Sequence, residues 1–172
     1  MFCQVLLAAV FAAAVFGKAR SRTAFASFTR DLPRFGLPGG SAAAPVGLGI
    51  VLAEAATVGL LFAVPLSGFL LALVMLLGFS TGIAIALRRG ERVPCRCFGS
   101  SRNPVGVPHL IRNGLLAGAA IVGALIELAW SGGQPETALR LVAAILGALS
   151  GLLLTRWDDL LFALRGTRST HS

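Results

Sequence analysis

Two cysteines separated by a single residue, Cys95 and Cys97, are the side chains in this sequence best suited to chemistry. Thiols this close can form only a small-ring disulfide, whose strain makes it easier to reduce than a relaxed bridge. Arg92, Arg96 and Arg102 lie nearby, and positive charge favours the thiolate, which attacks disulfides and binds soft metals. The spacing therefore indicates thiol–disulfide exchange.

Two other interpretations of the pair remain open at this point. A structural zinc usually takes four ligands, and only His109 can be added, because Cys3 is expected at the opposite membrane face. We therefore assign no metal ligands. Cysteines without any chemical role are also common in proteins.

The composition indicates a membrane protein. Of the 172 residues, 56% are hydrophobic and 13% are charged, against about 25% charged residues in soluble domains. This excludes a disordered chain, a coiled coil and a disulfide-dense secreted module. The net charge of +8 does not indicate nucleic-acid binding, because the basic residues punctuate apolar runs instead of forming a basic face.

Five apolar segments are candidates for membrane spans, since a span needs roughly 17 to 25 mostly apolar residues. They cover residues 1–17, 45–64, 66–87, 110–130 and 138–155. The fifth has the shortest uncharged stretch, so a tilted or interfacial helix is an alternative. We predict a single transmembrane domain over residues 1–164 and a disordered tail over 165–172.

The first segment has a second interpretation, a cleaved signal peptide. No basic residue precedes its apolar run, whereas Lys18, Arg20 and Arg22 follow directly. This order favours a retained helix whose carboxyl end lies in the cytoplasm.

The polar stretch after the first segment contains a helical pattern. Phe25, Phe28, Leu32 and Phe35 recur at spacings of three and four residues, which places them on one helical face. Residues 24–37 therefore form either an amphipathic helix in the headgroup layer or a solvated loop that ends at Pro33. Between the second and third spans there is almost no linker, so a tight antiparallel hairpin is expected there.

The distribution of Lys and Arg predicts the orientation, because basic residues are retained on the cytoplasmic side. With the amino terminus outside, 14 of the 15 basic residues lie inside and only Arg140 lies outside. The Cys95–Cys97 loop is then cytoplasmic, in a multi-pass protein of the inner or plasma membrane.

Within the spans, Glu54 is the main candidate for function, because intramembrane ionisable groups are costly and usually functional. It is either a proton carrier or head-group ligand, or a neutral acid bonded to a neighbouring helix. We expect it to be neutral, with no basic residue at its depth, and Lys18 to snorkel to the interface.

A second group lies beside the cysteine loop. His109, Arg112 and Asn113 share one helical face and either bind an anion or tune the thiolates, or serve as interface and packing residues. Three small-xxx-small steps, Gly78–Gly82, Gly114–Gly118 and Gly147–Gly151, predict close helix packing.

Several of these motifs together resemble the methylamine utilisation protein MauE family. The resemblance rests on Cys95-Arg96-Cys97-Phe98-Gly99, Pro104-Val105-Gly106, Arg112-Asn113, Gly17-Lys18 and Glu54, and it covers approximately residues 5–130. It implies a four-helix bundle like that of the DoxX-like proteins, to which the fifth, carboxyl-terminal helix is added. The expected fold is thus an all-α membrane protein.

The resemblance implies a role in maturing a partner enzyme by supplying or exchanging disulfides, with Cys95, Cys97 and Glu54 as catalytic residues. The partners are then the lipid bilayer and a redox partner or client protein, and a homo-oligomer is compatible with the sequence. No cofactor is specified, although the DoxX relationship makes a quinone the candidate electron acceptor. Methylamine dehydrogenase matures outside the cytoplasm, so the predicted orientation places the thiols on the other side. The alternative function is a non-catalytic scaffold or a small-solute transporter.

Overall fold

The computed structural model describes residues 1–90, 106–129 and 137–155. These residues confirm the predicted all-α bundle. The helices are α1 (Phe2–Ala19), α2 (Arg22–Asp31), α3 (Ala43–Ala63), α4 (Pro65–Arg88), α5 (Val107–Ala129) and α6 (Thr137–Thr155). Helices α1, α3, α4 and α5 are long and apolar enough to cross a membrane, so the chain is a multi-pass membrane protein.

The shorter α6 corresponds to the fifth predicted segment. Its apolar part, Leu141–Thr155, is below the length of the other four spans, so a full crossing by this helix stays a prediction. The predicted end of the domain at residue 164 and the tail over 165–172 lie outside the described residues.

The connection between α3 and α4 confirms the predicted tight hairpin. Val64 leaves the helical region at φ −140° and ψ 81°. Pro65 then starts α4, where its fixed φ fits and its missing N–H costs nothing. Gly68 lies directly against the backbone of Leu61, so that a Cβ there would overlap it. The two helices therefore run antiparallel from their first turn.

Side-chain contacts show how the other helices alternate. The Gln4 amide at the start of α1 donates a hydrogen bond of 2.8 Å to the Leu61 carbonyl at the end of α3. Late in α5, Gly123 faces the ring of Phe69 early in α4. The carboxyl ends of α1 and α4 and the amino ends of α3 and α5 therefore lie on the same side of the bundle. We call this side the cap end of the bundle.

Helix α1 contributes most to the core. Leu7, Val10, Phe11 and Ala14 are at most 1% exposed, and they pack with apolar residues of α3, α4 and α5. Because the bundle core is built around this helix, the packing favours a retained α1 over a signal peptide.

The segment after α1 is helical and packs against the cap end, so the loop interpretation of residues 24–37 was wrong. Ser21 caps α2 by accepting the Ala24 N–H at 3.1 Å. After α2, a 3₁₀ turn over Leu32–Phe35 ends at Gly36, whose φ is +82°. Phe28 and Leu32 are buried, so the apolar face of this segment packs onto the bundle. A position in the headgroup layer stays a prediction.

The three predicted glycine steps differ in what they contact. Gly147 and Gly151 approach the backbone of α1 so closely that a Cβ would lie within 3 Å of it. A Cβ at Gly82 would lie 3.3 Å from the Phe35 side chain, which is a tight contact but not an overlap with backbone. A Cβ at Gly78, Gly114 or Gly118 would meet no atom of another described segment within 4 Å. The packing prediction was therefore wrong for these three, because the motif does not specify which face meets a neighbour.

This difference predicts opposite results for two glycine substitutions. Gly68→Ala should lower the free energy of unfolding by about 1–3 kcal/mol, because the new methyl group overpacks the α3 backbone. In Gly114→Ala the free energy of unfolding should stay unchanged or rise by up to about 1 kcal/mol. Alanine favours helix, and the new methyl group meets no atom of another described segment. Unfolding of the purified protein in mixed micelles measures both changes. An equal loss in the two variants would contradict the packing described.

Candidate functional site

A buried ion pair joins the end of α1 to the middle of α3. Lys18 Nζ lies 2.5 Å from Glu54 Oε1, and both side chains are fully shielded from solvent. The expectations that Glu54 has no basic residue at its depth and that Lys18 snorkels were therefore wrong. The reason for expecting a neutral Glu54 no longer holds, because a lysine lies beside it. Helix α2 packs over this region, so the Lys18 side chain points into the bundle instead of reaching the interface.

Two aromatic rings flank the lysine of this pair. Its Nζ lies 5.3 Å from the centroid of the Phe28 ring and 5.6 Å from that of Phe79. Both distances fall within the roughly 6 Å range of cation–π attraction. The rings come from α2 and α4, so residues of four helices surround one charged contact.

The predicted polar face of α5 is also buried. His109, Arg112 and Asn113 are 3%, 4% and 1% exposed, so the sequence correctly placed them together. His109 Nδ1 accepts the backbone N–H of Gly106 at 3.3 Å, which closes the first turn of α5. The alternative interpretation placed Arg112 at the membrane interface. Its side chain is instead buried in the bundle. Among the described residues, none donates a hydrogen bond to Asn113 Oδ1.

A small cavity lies beside this polar face. Its volume is about 50 Å³, and Arg112 and Asn113 share its lining with Phe28 and Phe79. Those two rings also flank Lys18, so the cavity and the ion pair have a common wall. The cavity is smaller than an engineered apolar cavity of roughly 150 Å³ that binds benzene in a protein core. It is therefore too small for a quinone ring.

The predicted thiol pair itself, Cys95 and Cys97, lies outside the described residues. Its chain leaves α4 after Gly90 and joins α5 at Gly106, and both of these residues are at the cap end. The remaining cysteine, Cys3, is free and half-buried near the start of α1, at the opposite end of the bundle. This separation agrees with the expectation from the sequence.

Sequence reasoning missed two members of the site: Lys18 as the partner of Glu54, and Phe79 beside it. For Lys18 a signal existed, since it directly follows the first apolar segment, while Glu54 needs a counter-charge. Phe79 carries no comparable signal, because it is one of 11 phenylalanines in a mostly apolar chain.

One comparison with known proteins gives a match. The family model described as "Methylamine utilisation protein MauE" matches residues 1–126, which include α1 to α4 and most of α5. No curated protein and no solved structure matches the chain.

Proposed function

Because the chain belongs to the MauE family of membrane proteins associated with methylamine utilisation, we propose that it is a thiol–disulfide factor that helps to mature a partner enzyme. Cys95 and Cys97 are the exchanging pair. In the exchange, two client thiols lose their hydrogens and form a disulfide, while the Cys95–Cys97 disulfide is reduced to two thiols. A second, more oxidising disulfide then re-forms the Cys95–Cys97 disulfide by the same exchange and is itself reduced to two thiols.

The position of the loop ends supports this assignment. An extended chain spans at most about 3.6 Å per residue, so Cys95 stays within about 18 Å of Gly90. Helix α1 has 18 residues and is therefore about 27 Å long, with Cys3 at its other end. The two loop thiols are thus each other's most accessible partners, and Cys3 is not needed for the exchange.

Three buried residues of α5 lie near the point where the thiol loop joins this helix. Arg112 places a cation close to the point where the loop joins α5, and positive charge favours thiolate. His109 holds Gly106 and so fixes that junction. We propose that this polar face tunes and positions the thiol loop, with Asn113 as its third member.

Glu54 has a separate place in the proposal. Its contact with Lys18 supports a positioning role, in which the carboxylate holds α1 on α3 below the loop. The proton-carrier role suggested by the sequence stays a prediction.

The cysteines provide a direct test with an internal control. Cys95→Ser and Cys97→Ser should each abolish the oxidant-dependent loss of maleimide mass-tagging in native membranes, and growth on methylamine as nitrogen source should fail. Cys3→Ser should retain both, because this residue lies at the far end of the bundle. If the double Cys95/Cys97 serine variant supports normal growth, the redox role is wrong and the scaffold or transporter alternative is favoured.

The proposed topology has the amino terminus outside and the thiol loop in the cytoplasm, as the distribution of basic residues indicates. In intact cells carrying Cys3→Ser, a membrane-impermeant maleimide should leave Cys95 and Cys97 unlabelled until the membrane is permeabilised. In cells that retain Cys3 but carry serine at positions 95 and 97, labelling of Cys3 serves as the matched comparison. Labelling of the loop from outside would contradict this topology.

A further inference from the structure

A groove lies between α1 and α3 on the outer surface of the bundle. It is open on one side, encloses about 510 Å³ and is lined mainly by Ala12, Val15, Phe16, Ala19, Ala55 and Val58. This volume is within the range of about 300–1,000 Å³ that is typical of small-molecule sites. The alanines leave room along the groove, and Phe16, which is 69% exposed, projects beside it.

Among the described residues that line the groove, Arg20 is the charged one. It follows Ala19 at the cap end of α1, whereas the other residues of the lining lie within the two spans. Helix α2 begins two residues later, and the amino end of a helix carries partial positive charge. The groove is therefore apolar along the membrane interior and positive where the span reaches the headgroup layer.

We propose that this groove binds an anionic phospholipid, with one acyl chain between α1 and α3 and the phosphate at Arg20. The apolar lining provides the contact for the chain, and Arg20 supplies the charge that distinguishes an anionic from a zwitterionic headgroup. A second copy of the chain fits this surface less well. A symmetric contact would bring Arg20 towards its own image, and α1 contains no acidic residue to compensate.

Native mass spectrometry of the full-length protein in mild detergent tests the proposal. The probe lipids are phosphatidylglycerol and phosphatidylcholine with identical palmitoyl and oleoyl chains. The wild-type protein should retain one phosphatidylglycerol in preference to phosphatidylcholine. Arg20→Gln should reduce this preference by roughly fivefold, the effect of one basic residue near an anionic headgroup. Arg22→Gln is the matched control, because Arg22 is exposed but does not line the groove.

A second pair of variants tests the position of the acyl chain. Ala55→Leu fills the groove and should weaken binding of both lipids, whereas Ala56→Leu changes an exposed neighbour outside the lining and should not. Ala12→Leu repeats the filling from the α1 side, and the elution volume of each variant checks its fold. Equal effects of Arg20→Gln and Arg22→Gln would overturn the proposal, as would unchanged lipid binding in both filled variants. A wild-type dimer that Ala55→Leu converts to monomers without lipid loss would identify the groove as a contact between copies and also overturn it.

Discussion

The contact between Lys18 and Glu54 is the interaction on which the cap end of this bundle depends. Moving two charged groups out of water costs several kcal/mol for each ion, and only close, well-oriented contact offsets that cost. The 2.5 Å distance between the two side chains and the rings of Phe28 and Phe79 beside the ammonium provide such an environment. The charged pair therefore requires α1, α2, α3 and α4 to meet at one place.

This requirement explains the arrangement around the thiol loop. Helix α2 and the 3₁₀ turn after it pack against α3 and α4, where Phe28 shields Lys18. The same Phe28 forms part of the cavity that Arg112 and Asn113 line from α5. The loop that carries Cys95 and Cys97 leaves and rejoins the bundle on this side. A fixed base for a reactive loop is what thiol exchange needs, because the geometry of attack depends on how the sulfurs are presented.

Much of this fold could be predicted from the sequence. Helix length and apolar composition specify a span almost directly, so four of the five predicted segments agree with long apolar helices to within a few residues. The α3–α4 hairpin followed from Pro65 and the absence of a linker. The shared face of His109, Arg112 and Asn113 followed from helical periodicity alone. Each of these inferences uses local information.

The errors concern relations between helices, which local patterns do not specify. Lys18 was assigned to the interface because it lies at the end of α1. However, α2 folds back over this end of α1, so Lys18 is buried in the protein. The glycine motif was equally present in α5 and α6. Within the described part of the chain, Gly147 and Gly151 of α6 face another backbone and the motif glycines of α5 do not. The partner of an intramembrane charge depends on the rotation and depth of both helices. Lys18 and Glu54 are 36 positions apart in the sequence, and that separation gives no direct indication of either.

A double-mutant cycle tests the ion pair most directly. The free energy of unfolding in mixed micelles would be measured for the wild type, Lys18→Met, Glu54→Leu and the double variant. Each single change should cost about 3–5 kcal/mol, because the remaining charge loses its closest counter-charge in the interior. The double variant should recover most of that loss, since two apolar side chains of similar size then meet. Losses that simply add in the double variant would contradict the direct contact and, with it, the account of how the cap end is held together.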